Sequence, residues 1–210
     1  AARQGTRHPD CCFCAAGTVG RPARFGNMAE KQDVAPRLAR HYLEPGPVVL
    51  LSSRHDGADN VMTLGWHQIL AFSPSLISCM ISRGNHSHAM IRESGECVLN
   101  IPDVTMLDTV VGIGNCSGAD TDKFDSFALD REAGEQVDAP RIAQCWANLE
   151  CRLHDDSMIE RYSLFVFEVV AIAARPGQRP NTVHYLGDGQ FQCSGEQIDK
   201  RAWFKPSMLP

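Results

Sequence analysis

The segment "RYSLFVFEVVAIAA", residues 161–174, restricts the possible folds more than any other part of the chain. Its β-branched and aromatic side chains mark a strand, but apolar and polar residues do not alternate along it. Side chains of a strand point to opposite faces in turn, so Leu164, Val166 and Val170 share one face and Phe165, Phe167 and Val169 the other. A strand that is apolar on both faces has to be covered on both, as in a barrel or a covered sheet. It also offers more apolar surface than one barrel interior needs, so a homodimer is expected.

Other segments supply the remaining staves. "PVVLLSS" (47–53) and "NVMTLGWHQILAF" (60–72) flank Asp56-Gly57, a hairpin turn signal. After the turn residues "SPS" (73–75), "LISCMIS" reads as a strand, and "ECVLNIP" and "CWANLECRLHD" (145–155) read likewise. "HSHAMIRES", with Gly95 just beyond it, reads as a two-turn helix with a glycine stop. "VTMLDTVVGIG" is a second short helix, followed by the polar loop "NCSGADTDKFDSF". The pattern predicts a mainly β, mostly antiparallel barrel with a few short helices.

At 210 residues the chain suffices for one sizeable core. No run approaches the roughly 18 apolar residues that cross a bilayer as a helix, so no membrane partner is expected. A net charge of -5 without a Lys/Arg-rich run argues against nucleic acid. Nine cysteines, an odd number without paired spacing, fit reduced thiols in a cytoplasm, most of them acting as small buried hydrophobes. Residues 1–27 have no periodicity and are read as a leader or artificial extension, poorly packed, with residues 28–210 forming the single domain. The Cys-x-x-Cys of Cys11, Cys12 and Cys14 has no second half to complete four ligands, and no metal is expected.

Functional chemistry concentrates where "LISCMIS" runs into "RGNHSHAMI". A helix N-terminus leaves backbone N–H groups unpartnered and carries partial positive charge, which suits a phosphate. Ser82, Arg83, Asn85 and Ser87 add side-chain donors, and Arg83 can grip two phosphate oxygens. The alternative is that Asn85 caps the helix while Arg83 and the histidines point into water. The preceding strand supplies a hydroxyl at Thr63, a point of close backbone approach at Gly65 and a flat wall at Trp66, features that a ring cofactor with polar edges needs.

The ordered set "PVVLLSS … G..N-VMTLGW … SP.LIS..IS … H-S-H..I..SGE.VLNIP … SG...DKF … W..LEC … LFV.EVV" resembles the flavin reductase-like family, the flavoredoxin branch of the FMN-binding split barrels, over about residues 44–190. The resemblance implies a split β-barrel homodimer holding FMN, with NADH or NADPH as co-substrate that reduces the flavin. It implies that Asn60, Met62, Thr63, Leu64, Gly65 and Trp66 line the flavin, that Ser82, Arg83, Ser87 and His88 serve its phosphate side, and that Lys123 adds a cation. Relatives often carry Gly-Asp-His before the strand equivalent to "LFVFEVV", with the His meeting the nicotinamide. Here Glu160-Arg161-Tyr162 stands there, which makes Tyr162, with His184, the candidate catalytic residues. A non-enzymatic electron carrier would use the same pocket. A hydrolase on this barrel is the third reading, and no "GxSxG" supports it.

Overall fold

The computed structural model describes residues 46–177 and 179–208. Residues 1–27, read above as a leader or extension, the start of the domain at residue 28 and the cysteine cluster at 11–14 lie outside them. Seven antiparallel strands form the main sheet: β1 (Val49–His55), β2 (Ala58–Leu64), β3 (His67–Phe72), β4 (Ser75–Met80), β5 (Glu96–Ile101), β8 (Ala147–Asp155) and β9 (Leu164–Ala174). Their order is β2-β1-β5-β8-β9-β4-β3. The two edge strands, β2 and β3, are consecutive in the chain and separated by Gly65 and Trp66 alone. Two residues span only about 7 Å, so the sheet has to curl until its edges meet. The edges share no ladder, and that seam is the split in the barrel.

Two small ribbons complete the β structure, β6 (Arg131–Glu132) with β7 (Arg141–Ile142) and β10 (Val183–Gly187) with β11 (Gln190–Cys193). The helices are α1 (His86–Ser94), α2 (Leu107–Gly114), α3 (Lys123–Ser126) and α4 (Ile159–Tyr162). Among the described residues no helix is long and apolar enough to cross a membrane.

Alternation along the strands builds two cores. Val49 and Leu51 of β1, Met62 and Leu64 of β2, and Phe165 and Phe167 of β9 fill the barrel interior. Val48, Leu50 and Val61 face the other way, into a second cluster with Val110 and Ile113 of α2, Phe124 of α3 and Val183 of β10. β9 also has two covered faces, since Val170 packs on a small outer cluster of Val98, Val137 and Ala139. That two-sided covering fails toward its end, where Ile172 is 64% exposed.

Turn chemistry accounts for the hairpins. Asp56 and Gly57 have φ of 49° and 76°, and Asp188 and Gly189 have 52° and 77°. Positive φ at both central residues matches the right-handed twist of the paired strands. α1 ends as expected, at Gly95 in the left-handed conformation with its N–H on the Ile91 carbonyl.

Several expected boundaries need correction. The run 60–72 is two strands, because the chain turns the barrel corner at Gly65-Trp66 instead of continuing straight. Residues 161–162 belong to the single turn α4, since Ile159 is drawn into the barrel interior and coils the chain there. The polar loop 115–127 contains α3, nucleated by Asp122, whose side chain accepts from the Asp125 N–H. Four of the six described cysteines are buried and all six are free, in keeping with small buried hydrophobes. Burial pushes the Cys145 thiol up to about 12.

Candidate functional site

The seam opens onto a cavity of about 500 Å³, within the range of roughly 300–1,000 Å³ typical of small-molecule sites. Its floor is the end of β2, Met62 through Leu64, continuing through Gly65 and Trp66. β2 pairs only with β1 among the described residues, so alternate N–H and C=O groups of its other edge have no strand partner. A heterocycle with carbonyls and ring nitrogens can use such an edge. A Cβ on Gly65 would meet nothing within 4 Å, so the open space beside it is not required by packing of this chain.

The walls come from three other elements. Val110, Val111, Gly114 and Asn115 line one side from α2 and its C-cap, and Thr63 fixes that side by donating its hydroxyl to the Val110 carbonyl at 2.6 Å. Tyr185 of β10 and Phe191 of β11, with ring centroids 5.0 Å apart, line another. At the third, Ser82 and Asn85 face the cavity from the turn before α1, closed by the Asn85 N–H on the Ser82 carbonyl at 2.9 Å. Asn85 has extended backbone and makes no side-chain cap bond, so its amide is not engaged in capping. The lining thus combines polar donors near a helix N-terminus with aromatic and aliphatic walls. This donor set fits a flat ring system bearing a phosphate.

Of the residues expected from the sequence, Met62, Thr63, Leu64, Gly65, Trp66 and Ser82 line this cavity. Others stand elsewhere. Asn60 is buried, and its Nδ2 donates to the Ser87 hydroxyl at 2.8 Å, which joins β2 to α1. Its Oδ1 is buried without a partner, and Gly118 presses so close that a Cβ there would stand 2.1 Å from it. His88 turns into the barrel, edge-on to Phe165 with centroids 5.2 Å apart. Burial lowers its pKa, and Arg83 and Arg92 lower it further. Its ring packs in the core, with Nε2 buried and without a partner. Arg83 points away from the cavity and pairs with the Glu160 carboxylate at 2.7 Å.

Lys123 is buried and donates to the Ile113 carbonyl at 3.0 Å, so it clamps the end of the helix that walls the cavity. Burial lowers its pKa against the opposing influence of Cys116. Tyr162 is 53% exposed beneath the Arg161 guanidinium and does not line the cavity. His184 lies on the outer ribbon with Nε2 3.1 Å from the Thr182 hydroxyl, and does not line it either.

Sequence reasoning missed Tyr185, Gly189 and Phe191. The signal was present in "VHYLGDGQFQC", where Asp188-Gly189 separates two short runs with an aromatic in each. A second cavity of about 350 Å³ lies beyond Trp66 and shares Gly65, Trp66 and Met80 with the first.

Residues 41–193 match the family model described as flavin reductase like domain. Among solved structures, the FMN-binding domain of a flavin reductases-like enzyme from Shewanella baltica OS155 is 28% identical with a TM-score of 0.68, covering 79% of this chain and 95% of that one. Flavoredoxin of Desulfovibrio vulgaris has a similar fold, with TM-score 0.71 at 24% identity, covering 82% and 97%. Among curated proteins, the uncharacterized protein YddH of Escherichia coli is 28% identical over 78% of this chain and 93% of its own length. An uncharacterized protein of Archaeoglobus fulgidus is 35% identical over 54% of this chain and 64% of its own, so the chain spans less than two thirds of that relative.

Proposed function

The chain belongs to the flavin reductase-like family, and from that premise we propose that it is an FMN-binding flavoprotein that takes reducing equivalents from NADH or NADPH. The observation that carries the reading is the cavity on which the free edge of Met62–Leu64, the aromatic walls and the Ser82–Asn85 turn converge. When bound, the flavin supplies the redox chemistry by accepting a hydride equivalent. The residues of this chain bind and orient it. Ser82, Asn85 and the N-terminus of α1 hold the phosphate. The β2 edge meets the polar rim of the ring, and Tyr185, Phe191 and Val110 exclude water from its apolar part.

Tyr185 is the one ionisable side chain among the described lining residues. A hydrolase needs a nucleophile and base in contact with substrate, whereas hydride transfer between two positioned rings needs neither. The lining therefore favours the oxidoreductase. The position of Tyr162 and His184 outside the cavity favours a second reading, an electron carrier that holds FMN without using a nicotinamide nucleotide. Anaerobic mixing of the FMN-loaded protein with NADH and with NADPH, followed by flavin absorbance, separates the two: bleaching within seconds supports the reductase, and persistent oxidised flavin supports the carrier.

A homodimer completes the proposal. β3 is the other open edge, and it presents Ile69, Leu70 and Phe72, the last 93% exposed, with Ile172 exposed as well. An apolar surface of this kind is covered by a partner more often than left to water. A second copy on this edge would also close the cavity beyond Trp66.

A further inference from the structure

Glu160 does not line the cavity, yet it holds Arg83, from the turn that does, and Arg92 of α1. Its Oε2 meets the Arg83 guanidinium at 2.7 Å and its Oε1 meets that of Arg92 at 2.5 Å. Arg83 also donates to the Glu160 backbone carbonyl. Three segments converge on this carboxylate: the Ser82–Asn85 turn with Arg83 inside it, the last turn of α1 with Arg92, and α4, which carries Glu160. The carboxylate is not placed there by chance flexibility of a loop, because the neighbouring Ile159 is buried in the barrel interior and the Ser163 N–H bonds the Ile159 carbonyl at 2.8 Å.

Two guanidiniums converging on the two oxygens of one anion is the arrangement that a phosphate recruits. Here the chain supplies the anion itself. Arg92 and then Arg83 hold the Glu160 carboxyl below the usual carboxylate range, so it is charged at neutral pH. Burial, Arg83 and Arg92 disfavour the imidazolium of His88 against the opposing influence of Glu160.

We propose that Glu160 is a specificity-determining residue: an internal anion that competes with the ligand phosphate for Arg83 and sets how strongly the site prefers a phosphorylated flavin. The inference rests on the flavin reading above. Arg83 stands between Ser82 and Asn85, which line the cavity, so release from Glu160 frees a cation beside the phosphate end. With Glu160 present the local balance is one net positive charge, and without it two. Removing the carboxylate strengthens phosphate binding and leaves the ring contacts alone.

The test compares FMN with riboflavin, which has the same ring and no phosphate, by fluorescence titration of the wild-type protein and the Glu160→Gln variant. The ratio of riboflavin to FMN dissociation constants rises about two- to fivefold in the variant, the size of one exposed ion pair, through tighter FMN and unchanged riboflavin. Glu160→Ala must move the ratio in the same direction, which guards against a folding defect peculiar to one variant. An unchanged or lower ratio overturns the proposal, and equal weakening of both flavins assigns Glu160 to holding the turn. Failure of the wild-type protein to bind either flavin overturns the flavin reading, and this inference with it.

Discussion

The amide nitrogen of Asn60 donates to the hydroxyl of Ser87 across 2.8 Å, tying the edge strand β2 to the first turn of α1. Both residues are buried, and the amide oxygen has no partner. The bond fixes the angle between the strand that lines the cavity and the helix whose preceding turn lines it too.

Ser87→Ala therefore acts on stability before it acts on phosphate recognition. Leaving a buried amide without its last partner costs about 1–3 kcal/mol, a fall in Tm of roughly 2–12 °C in a domain of this size. FMN and riboflavin lose affinity to the same extent. Differential scanning calorimetry and paired flavin titrations check this, and a selective loss of FMN at unchanged Tm would return Ser87 to the phosphate.

Gly65 gives the complementary case. Its backbone does not need glycine for packing, since a Cβ there meets nothing within 4 Å. Gly65→Leu should fold with Tm close to wild type and lose at least about tenfold in flavin affinity, equivalent to about 1.4 kcal/mol, because the side chain fills space beside the ring. A variant that unfolds, or that binds flavin normally, contradicts this placement.

How much of this was legible in the sequence follows from particular residues. Asp56-Gly57 and Gly95 announced their turns because positive φ selects a few residue types. The corner at Gly65-Trp66 was hidden within a run that reads as one strand, since its composition is strand-like on both sides of the bend. The family resemblance makes Lys123 a cation beside the flavin, and only tertiary packing shows it buried on the Ile113 carbonyl at the end of α2. The pairing of Arg83 with Glu160 could not be read from the sequence, because the two stand 77 residues apart. Tyr185 and Phe191 were missed because their ribbon is short and polar on its other face.

Acid stability should depend on Glu150, which is fully buried beneath Arg141 and accepts N–H bonds from Glu135, Gln136 and Val137. Burial works to raise its pKa, but the Glu135 and Gln136 N–H groups and Arg141 outweigh it and hold the value below the ordinary one. A carboxyl depressed in the folded state adds stability above its unfolded pKa, about 4.3, and that stability is lost as pH falls toward the folded value. Urea unfolding from pH 7 to pH 3 should show this loss in wild type and a flatter profile in Glu150→Gln. Parallel profiles contradict the assignment.

The open edge at β3 predicts association. Light scattering at low micromolar concentration should give about twice the 23.1 kDa chain mass, and Phe72→Glu should shift the mass toward one chain, because a charge at the centre of an apolar contact is left unpaired. A wild-type monomer that holds flavin would show that the cavity is complete in one chain.

The central claim is that the cavity at the barrel seam holds FMN. Titrating the flavin-free protein with FMN and following flavin fluorescence tests it most directly. Saturable quenching at about one FMN per chain, weakened at least about tenfold in Gly65→Leu and retained in a folded surface control such as Glu93→Gln, is the result expected. The absence of saturable binding by folded wild-type protein, or binding that Gly65→Leu leaves unchanged, would contradict it.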